Sequence, residues 1–234
     1  RQAIAGIKNK THTTDIALKI LREQPLLATS CDNATKTAPI LLAAQVKDVK
    51  FFSEVLDTQV NSMSKIASWF SKGNDAKIEA ALATKDSSGK NILHFAVKAG
   101  NDVLIAYLKS AHTTAFNKMV QENDNTGSLP LHYVAYDRKC YDSLTILSTA
   151  EVPAASKGQK PQTKNLCEVK NNSGFTVFEH AKEYSIYPKP IVDLGIKHGF
   201  DWGEIPIVLE DLAFGEQPTL SGVAKEDVQL VGEA

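Results

Sequence analysis

The feature that most restricts the fold is a pattern that returns. Asp86-x-x-Gly89-x-x-x-Leu93-His94-x-Ala96 comes back as Asp124-x-x-Gly127-x-x-Pro130-Leu131-His132-x-Val134-Ala135. A looser copy is Asn171-x-x-Gly174-x-Thr176-x-Phe178-x-x-Ala181, and Asn33 precedes Pro39-Ile40-Leu41-Leu42-Ala43-Ala44 at the same offset. The stretch ASWFSKGNDAKIEAALA at 67–83 matches the later half only, with Gly73-Asn74 where the best copy has Gly100-Asn101. A unit of this length cannot bury its apolar face alone, whereas stacked neighbours can, so the repetition predicts a stack.

Each copy reads as a turn, a short helix, a break and a second helix. Asp or Asn ahead of the turn hydrogen-bonds its backbone, and Gly89, Gly127 and Gly174 suit a positive φ. Small residues such as Ala43, Ala44 and Ala96 let helices approach closely. Val103, Leu104, Ile105 and Leu108 offer apolar contacts at helical spacing. The pattern predicts helices near 38–46, 48–57, 63–72, 74–84, 91–99, 102–110, 129–137, 140–149, 176–184 and 189–198. Lys47, Gly73, Gly100, Arg138 and Ser185 share one position, at intervals of 26, 27, 38 and 47. The longest interval holds AEVPAASKGQKPQTKNLCE at 150–168, whose Pro, Gly, Ser, Gln and Lys content predicts a projecting loop. Its lysines, Lys157, Lys160 and Lys164, make it either neutral loop growth or a basic finger that touches a partner.

These residues resemble the ankyrin-repeat family, whose motif is T-P-L-H-x-A within a unit of about 33 residues. The resemblance spans roughly residues 13 to 202. It implies an all-α ankyrin-repeat solenoid over 1–202, with irregular repeats and one long loop insertion. Its parts are an N-terminal cap at about 13–32 and repeats at about 33–61, 62–85, 86–123, 124–170 and 171–202, followed by an acidic cap and tail at 203–234. The stretch TTDIALKILREQPLL at 13–27 is read as the second helix of a worn cap. The resemblance makes His94 and His132 structural hydrogen-bonders rather than general bases, with Gly89, Gly127 and Gly174 as turn residues. It also places a partner protein on turn tips and on the inner, concave face of each first helix. Carried over by position, that surface is Ser87, Ser88, Lys90 and Lys98, then Asn125, Thr126, Ser128, Tyr136 and Asp137, then Asn172, Ser173, Phe175, Glu183 and Tyr184. Tyr136, Phe175 and Tyr184 are then its aromatics, either exposed for binding or packed against neighbouring repeats.

Other chemistry finds little footing. Composition is 43% apolar and 23% charged, ordinary for a globular chain. The net charge of −1 gives no case for bulk attachment to nucleic acid. The longest apolar run, Ala38 to Ala44, is too short to span a bilayer, and RQAIAGIKNK lacks a signal-peptide core. Arg1 stands where a Met would open a complete chain, as in a fragment. Three cysteines (Cys31, Cys140 and Cys167) with no C-x-x-C spacing argue against a disulfide framework and a structural zinc, and point to a reducing, cytoplasmic setting. Cys140 lies near the start of a predicted helix, where a thiol pKa can fall, but a small packed Cys is the preferred reading. No phosphate loop is spelled by GKN or SKGN, His180 and His198 lack metal-ligand spacing, and no cofactor is expected. Trp69 and Trp202 read as core or cap aromatics.

Charge is uneven: residues 201–234 hold eight acids against one base, leaving the first 200 residues at +6. EIPIVLEDLAF offers a candidate capping helix and SGVAKEDVQLVGEA a solvated tail. An acidic end with Val231 near it resembles Dot/Icm-type IV secretion signals, which would make the chain a bacterial effector in the host cytosol. The expectation is therefore a monomeric, non-catalytic interaction module with an unidentified protein partner. The alternative is the targeting part of a larger enzyme, such as a cysteine hydrolase, whose catalytic part lies elsewhere.

Overall fold

The computed structural model describes residues 14–32, 34–66, 74–137, 139–152, 162–184 and 187–203, all within one compact unit. The acidic tail, Trp69, Lys157, Lys160 and the expected marker positions Gly73, Arg138 and Ser185 lie outside them. The described chain is mostly helical. After α1 (Thr14–Glu23) and a 3-10 turn (Pro25–Thr29) come α2 (Pro39–Ala43), α3 (Val49–Ile66) and α4 (Asn74–Leu82). Then follow α5 (Ile92–Ala99), α6 (Asp102–Ala111), α7 (Thr113–Met119), α8 (Pro130–Asp137) and α9 (Leu144–Leu147). A hairpin of β1 (Thr149–Val152) and β2 (Gln162–Asn165) precedes α10 (Val177–Glu183) and α11 (Lys189–Lys197).

Two rows organise these elements. The short helices α2, α5, α8 and α10 pack in that order, each against the next. Behind them α3 meets α6, and α9 meets α11. Tight loops link the rows: Gly100 caps α5 at φ 70°, and Asn101 caps α6 by accepting from the Leu104 amide. The Asn101 amide group also donates to the Ala44 and Val46 carbonyls at 3.0 and 2.9 Å, tying its loop to the equivalent loop of the unit before.

The turns form a second line of contact. Asp86, Asp124 and Asn171 each accept, through Oδ1, from two amides of their own turn, at 2.8–3.1 Å. Turn then bonds to turn: the Ser87 amide donates to Thr35 O, Asn125 to Ser88 O and Asn172 to Thr126 O, at 2.8, 2.9 and 3.0 Å. In the first turn the Asx residue is Asp32, one place earlier than the expected Asn33, and Lys36 at φ 53° takes the slot that Gly89, Gly127 and Gly174 fill elsewhere. The turn is one residue longer than the others, so the repeat offset is kept from its far side.

Several expectations are corrected here. No break separates 48–57 from 63–72, because α3 runs unbroken to Ile66. The expected repeat over 62–85 does not stand between its neighbours, since the turn at Thr35 bonds directly to the turn at Ser87. Val103 is 67% exposed and turns away from the core that Leu104, Ile105 and Leu108 fill. The helix expected over 140–149 is only Leu144–Leu147, preceded by Cys140 at φ 59°. The insertion over 150–168 is not a plain loop at its base, where Ala150 pairs with Lys164 and Glu151 with Thr163 in an antiparallel ladder.

The described residues end on a cluster of aromatic rings. Trp202 is buried against Gly195, where an added Cβ would sit 2.6 Å from its indole nitrogen. Phe178, Phe200 and Tyr187 surround it at centroid distances of 4.9–6.0 Å. These rings cover apolar surface of α10 and α11.

Candidate partner-binding face

His94 and His132 sit at the same place in successive units and do the same work. The His94 Nδ1 accepts from the Asn91 amide at 3.2 Å and lies 2.8 Å from the Asn91 Oδ1, and Nε2 donates to the Ser128 carbonyl of the next turn at 3.0 Å. His132 repeats this with the Leu129 amide at 3.0 Å and the Phe175 carbonyl at 3.2 Å. Each ring is therefore a neutral bracket between neighbouring turns. Burial pushes His94 down from the ordinary 6.5 to about 4 and lowers His132 too, so neither is charged near neutrality. The equivalent slot of the third unit is Glu179. It makes a capping box with Thr176 and an ion pair at 3.0 Å with Lys170, just ahead of its own turn, and does not reach forward to a following turn among the described residues.

The two buried thiols are held protonated. Burial, with Asp102 beside it, pushes the Cys140 thiol up to about 12, and its Sγ faces the Val97 carbonyl at 3.7 Å. Burial, with Glu168, does the same to Cys167. Among the described residues no three His, Cys, Asp or Glu groups gather to hold a metal ion, and no helix is long and apolar enough to cross a membrane.

Of the surface expected to meet a partner, part is occupied inside the stack. Ser128 is corrected from exposed contact to scaffold: it is 1% exposed, its amide donates to Asp124 and its carbonyl accepts from His94. Asn125 and Asn172 are exposed, but their side-chain amides donate back to the Ser87 and Asn125 carbonyls at 3.0 and 3.2 Å. Thr126 gives its hydroxyl to Asp124 at 2.6 Å. Lys90 is half-buried, with its Nζ 5.5 Å from the centre of the Tyr133 ring. Ser87, Ser88, Lys98, Ser173 and Glu183 remain exposed. Asp137 belongs to α8, and its side chain lies outside the described residues, as do Lys157 and Lys160.

The three expected aromatics converge on one residue that spacing did not single out. His180, 1% exposed, has Tyr136 at 3.7 Å between ring centres, Tyr184 stacked at 4.5 Å and Phe175 edge-on at 6.3 Å. Both His180 ring nitrogens are buried without a hydrogen-bond partner, and burial, then His132, lowers the ring to about 4. It acts here as a neutral aromatic plate. Tyr136 and Tyr184 cover it while staying 45% and 57% exposed, whereas Phe175 is half-buried. The signal was present: counted from Asp86, Asp124 and Asn171, Phe95, Tyr133 and His180 stand at one offset, a column of rings down the first helices. Tyr133 extends the cluster, 5.6 Å from Tyr136, and donates its hydroxyl to Asp124 Oδ2 at 2.6 Å.

Beside these rings lies an open cleft of about 430 Å³. Lys98, Tyr133 and Tyr136 from the helices face Thr126, Ser128, Asn171 and Ser173 from two turns. A second hollow of about 310 Å³ lies between α4 and α7, where Glu79 and Lys118 pair at 2.8 Å over alanines and Met119. No family model matches the sequence, and no curated protein matches it.

Proposed function

We propose that this chain is a non-catalytic interaction module of the ankyrin type, which holds a partner protein on the face carrying Tyr133, Tyr136 and Tyr184. The observation that carries the reading is the pair of tyrosines left open around a buried imidazole. Tyr136 and Tyr184 are among the few large apolar side chains of the described residues that stay exposed, and they lie together at 6.3 Å. Grouped, anchored aromatics are the side chains that dominate binding energy, because they bury much area and lose little conformational freedom. The ankyrin reading is supported by the Asx-glycine turns bonded in series, by paired helices behind them and by histidines that bracket one turn to the next. A non-catalytic role is supported by the chemistry of the titratable groups: the buried histidines are neutral and bonded or enclosed, and the buried thiols are protonated. The acidic tail carries no part of this reading.

The test is capture of the partner by the tagged chain, with mass spectrometry, followed by affinity measurement on a Tyr136→Ala/Tyr184→Ala variant that melts like the parent. Loss of about 2 kcal/mol or more of binding is expected from true anchors. Unchanged affinity in the folded double variant moves the binding face elsewhere.

A further inference from the structure

The cleft beside Tyr136 has an unequal set of polar groups. Asp124, at its edge, is saturated: its carboxylate accepts from the Thr126 amide, the Ser128 amide, the Thr126 hydroxyl and the Tyr133 hydroxyl, at 2.6–3.0 Å. Burial works to raise this carboxyl, and the four donors overcome it and hold it below the ordinary value, so it stays ionised and internally paired. What remains open is of one kind. Among the described residues Lys98 Nζ, the Tyr136 hydroxyl and the Ser173 hydroxyl make no hydrogen bond or ion pair, and all three line the cleft. Burial, then Tyr184 and Asp124, raises the Tyr136 phenol above its ordinary value, so it is a protonated donor. The Lys90 ammonium lies over the far ring, Tyr133, which lines the same cleft. An ammonium and two hydroxyls, with a second ammonium nearby, form a donor set that calls for an anion.

We infer that this cleft takes a carboxylate side chain from an acidic segment of the partner protein. The inference rests on the partner-binding reading above and deepens it. A carboxylate suits the set better than a phosphoryl group. Among the described lining residues there is no arginine to offer a planar fork to a dianion, and Lys98 is the one ammonium, which balances a single charge. The ammoniums of Lys98 and Lys90 favour an acidic segment over a basic one at this face. The tyrosines bury the apolar part of such a segment, while Lys98, Tyr136 and Ser173 fix the position of its acid.

The probe is an acetylated, amidated octapeptide of alternating glutamate and leucine, set against the same peptide with glutamine. Heteronuclear NMR of the intact chain reads where and how tightly each binds. Saturable shifts at Lys98, Tyr136 and Ser173 with the glutamate peptide are expected. Lys98→Gln should weaken binding about tenfold, as loss of a charge-assisted hydrogen bond does, and Tyr136→Phe should weaken it less, since the ring remains. The glutamine peptide should bind the parent about tenfold more weakly. Equal shifts from both peptides, shifts that map elsewhere, or no shift at millimolar peptide overturn the inference. Failure here is separable from failure of the broader reading: a captured partner that needs Tyr136 and Tyr184 but ignores Lys98→Gln leaves the face in place and removes the acid site.

Discussion

His94 and His180 are both buried imidazoles, and their surroundings give them opposite value. His94 has a partner on each nitrogen, so replacing it with a ring that cannot hydrogen-bond leaves the Asn91 amide unpaired and takes from the Ser128 carbonyl one of its two donors, the other being the Asp124 amide. His180 has no partner to lose. A buried polar group deprived of its partner costs about 1–3 kcal/mol, while removing one that is already unpaired can be neutral or stabilising. His94→Phe should therefore lower the urea midpoint by an amount of that order, and His180→Phe should hold or raise it. Equal losses in the two variants contradict the pairing described. The sequence made His94 and His132 legible because they recur in one motif with the same neighbours. It hid His180, whose position is shared with Phe95 and Tyr133 rather than with another histidine, so only the column of rings marks it.

The turns are the elements most plainly written in the chain. Aspartate or asparagine three residues before glycine specifies both the side-chain bridge and the positive φ, and all three such turns form. The second helices were less legible. Thr113–Met119 follows α6 after a single residue, so its apolar residues Ala115, Phe116 and Met119 carry no turn signal of their own to announce a new helix. The hairpin at 149–152 and 162–165 is four residues a side, too short for alternation to outweigh the loop-like composition around it. Glycine itself separates stacking from local strain. Gly127 at φ 75° has the Asn172 amide 2.7 Å from where a Cβ would lie, and Gly174 at φ 82° has nothing within 4 Å. Gly174→Ala should cost only the left-handed penalty of about 1–2 kcal/mol. Gly127→Ala adds a backbone collision with the next turn and should cost clearly more. Chemical denaturation of the two variants reads the difference, and matching losses would mean that the turns do not press on one another.

Across the whole molecule, three successive units each hold a buried histidine whose folded form is neutral. His94 and His180 are held at about 4, and His132 is also lowered, with burial the largest cause each time. In the unfolded chain these rings titrate near 6.5. Between pH 6.5 and about 4 the unfolded state thus binds protons that the folded state refuses, and folding free energy falls as pH falls. The contribution is fully present above 6.5 and is lost toward 4. For His132 the structural reason is direct: a proton on Nδ1 would place a donor against the Leu129 amide, which donates there now. Each fully refused proton contributes a slope of about 1.4 kcal/mol per pH unit. Asp124 acts lower down, because its depressed carboxyl pairing is lost only below its ordinary value of 3.8. The stack passes hydrogen bonds from unit to unit through two of these histidines, His94 and His132, so weakening them loosens neighbours together rather than one at a time. Denaturation followed from pH 7.5 to about 5.5 should show stability declining as the histidine window opens, above the range in which most carboxylates protonate. The parent should decline more steeply than His180→Phe, which removes one refused proton while keeping the ring in its place. A flat profile over this range would show that the rings are not buried as neutral groups, and the bracket assigned to His94 and His132 would fall with it.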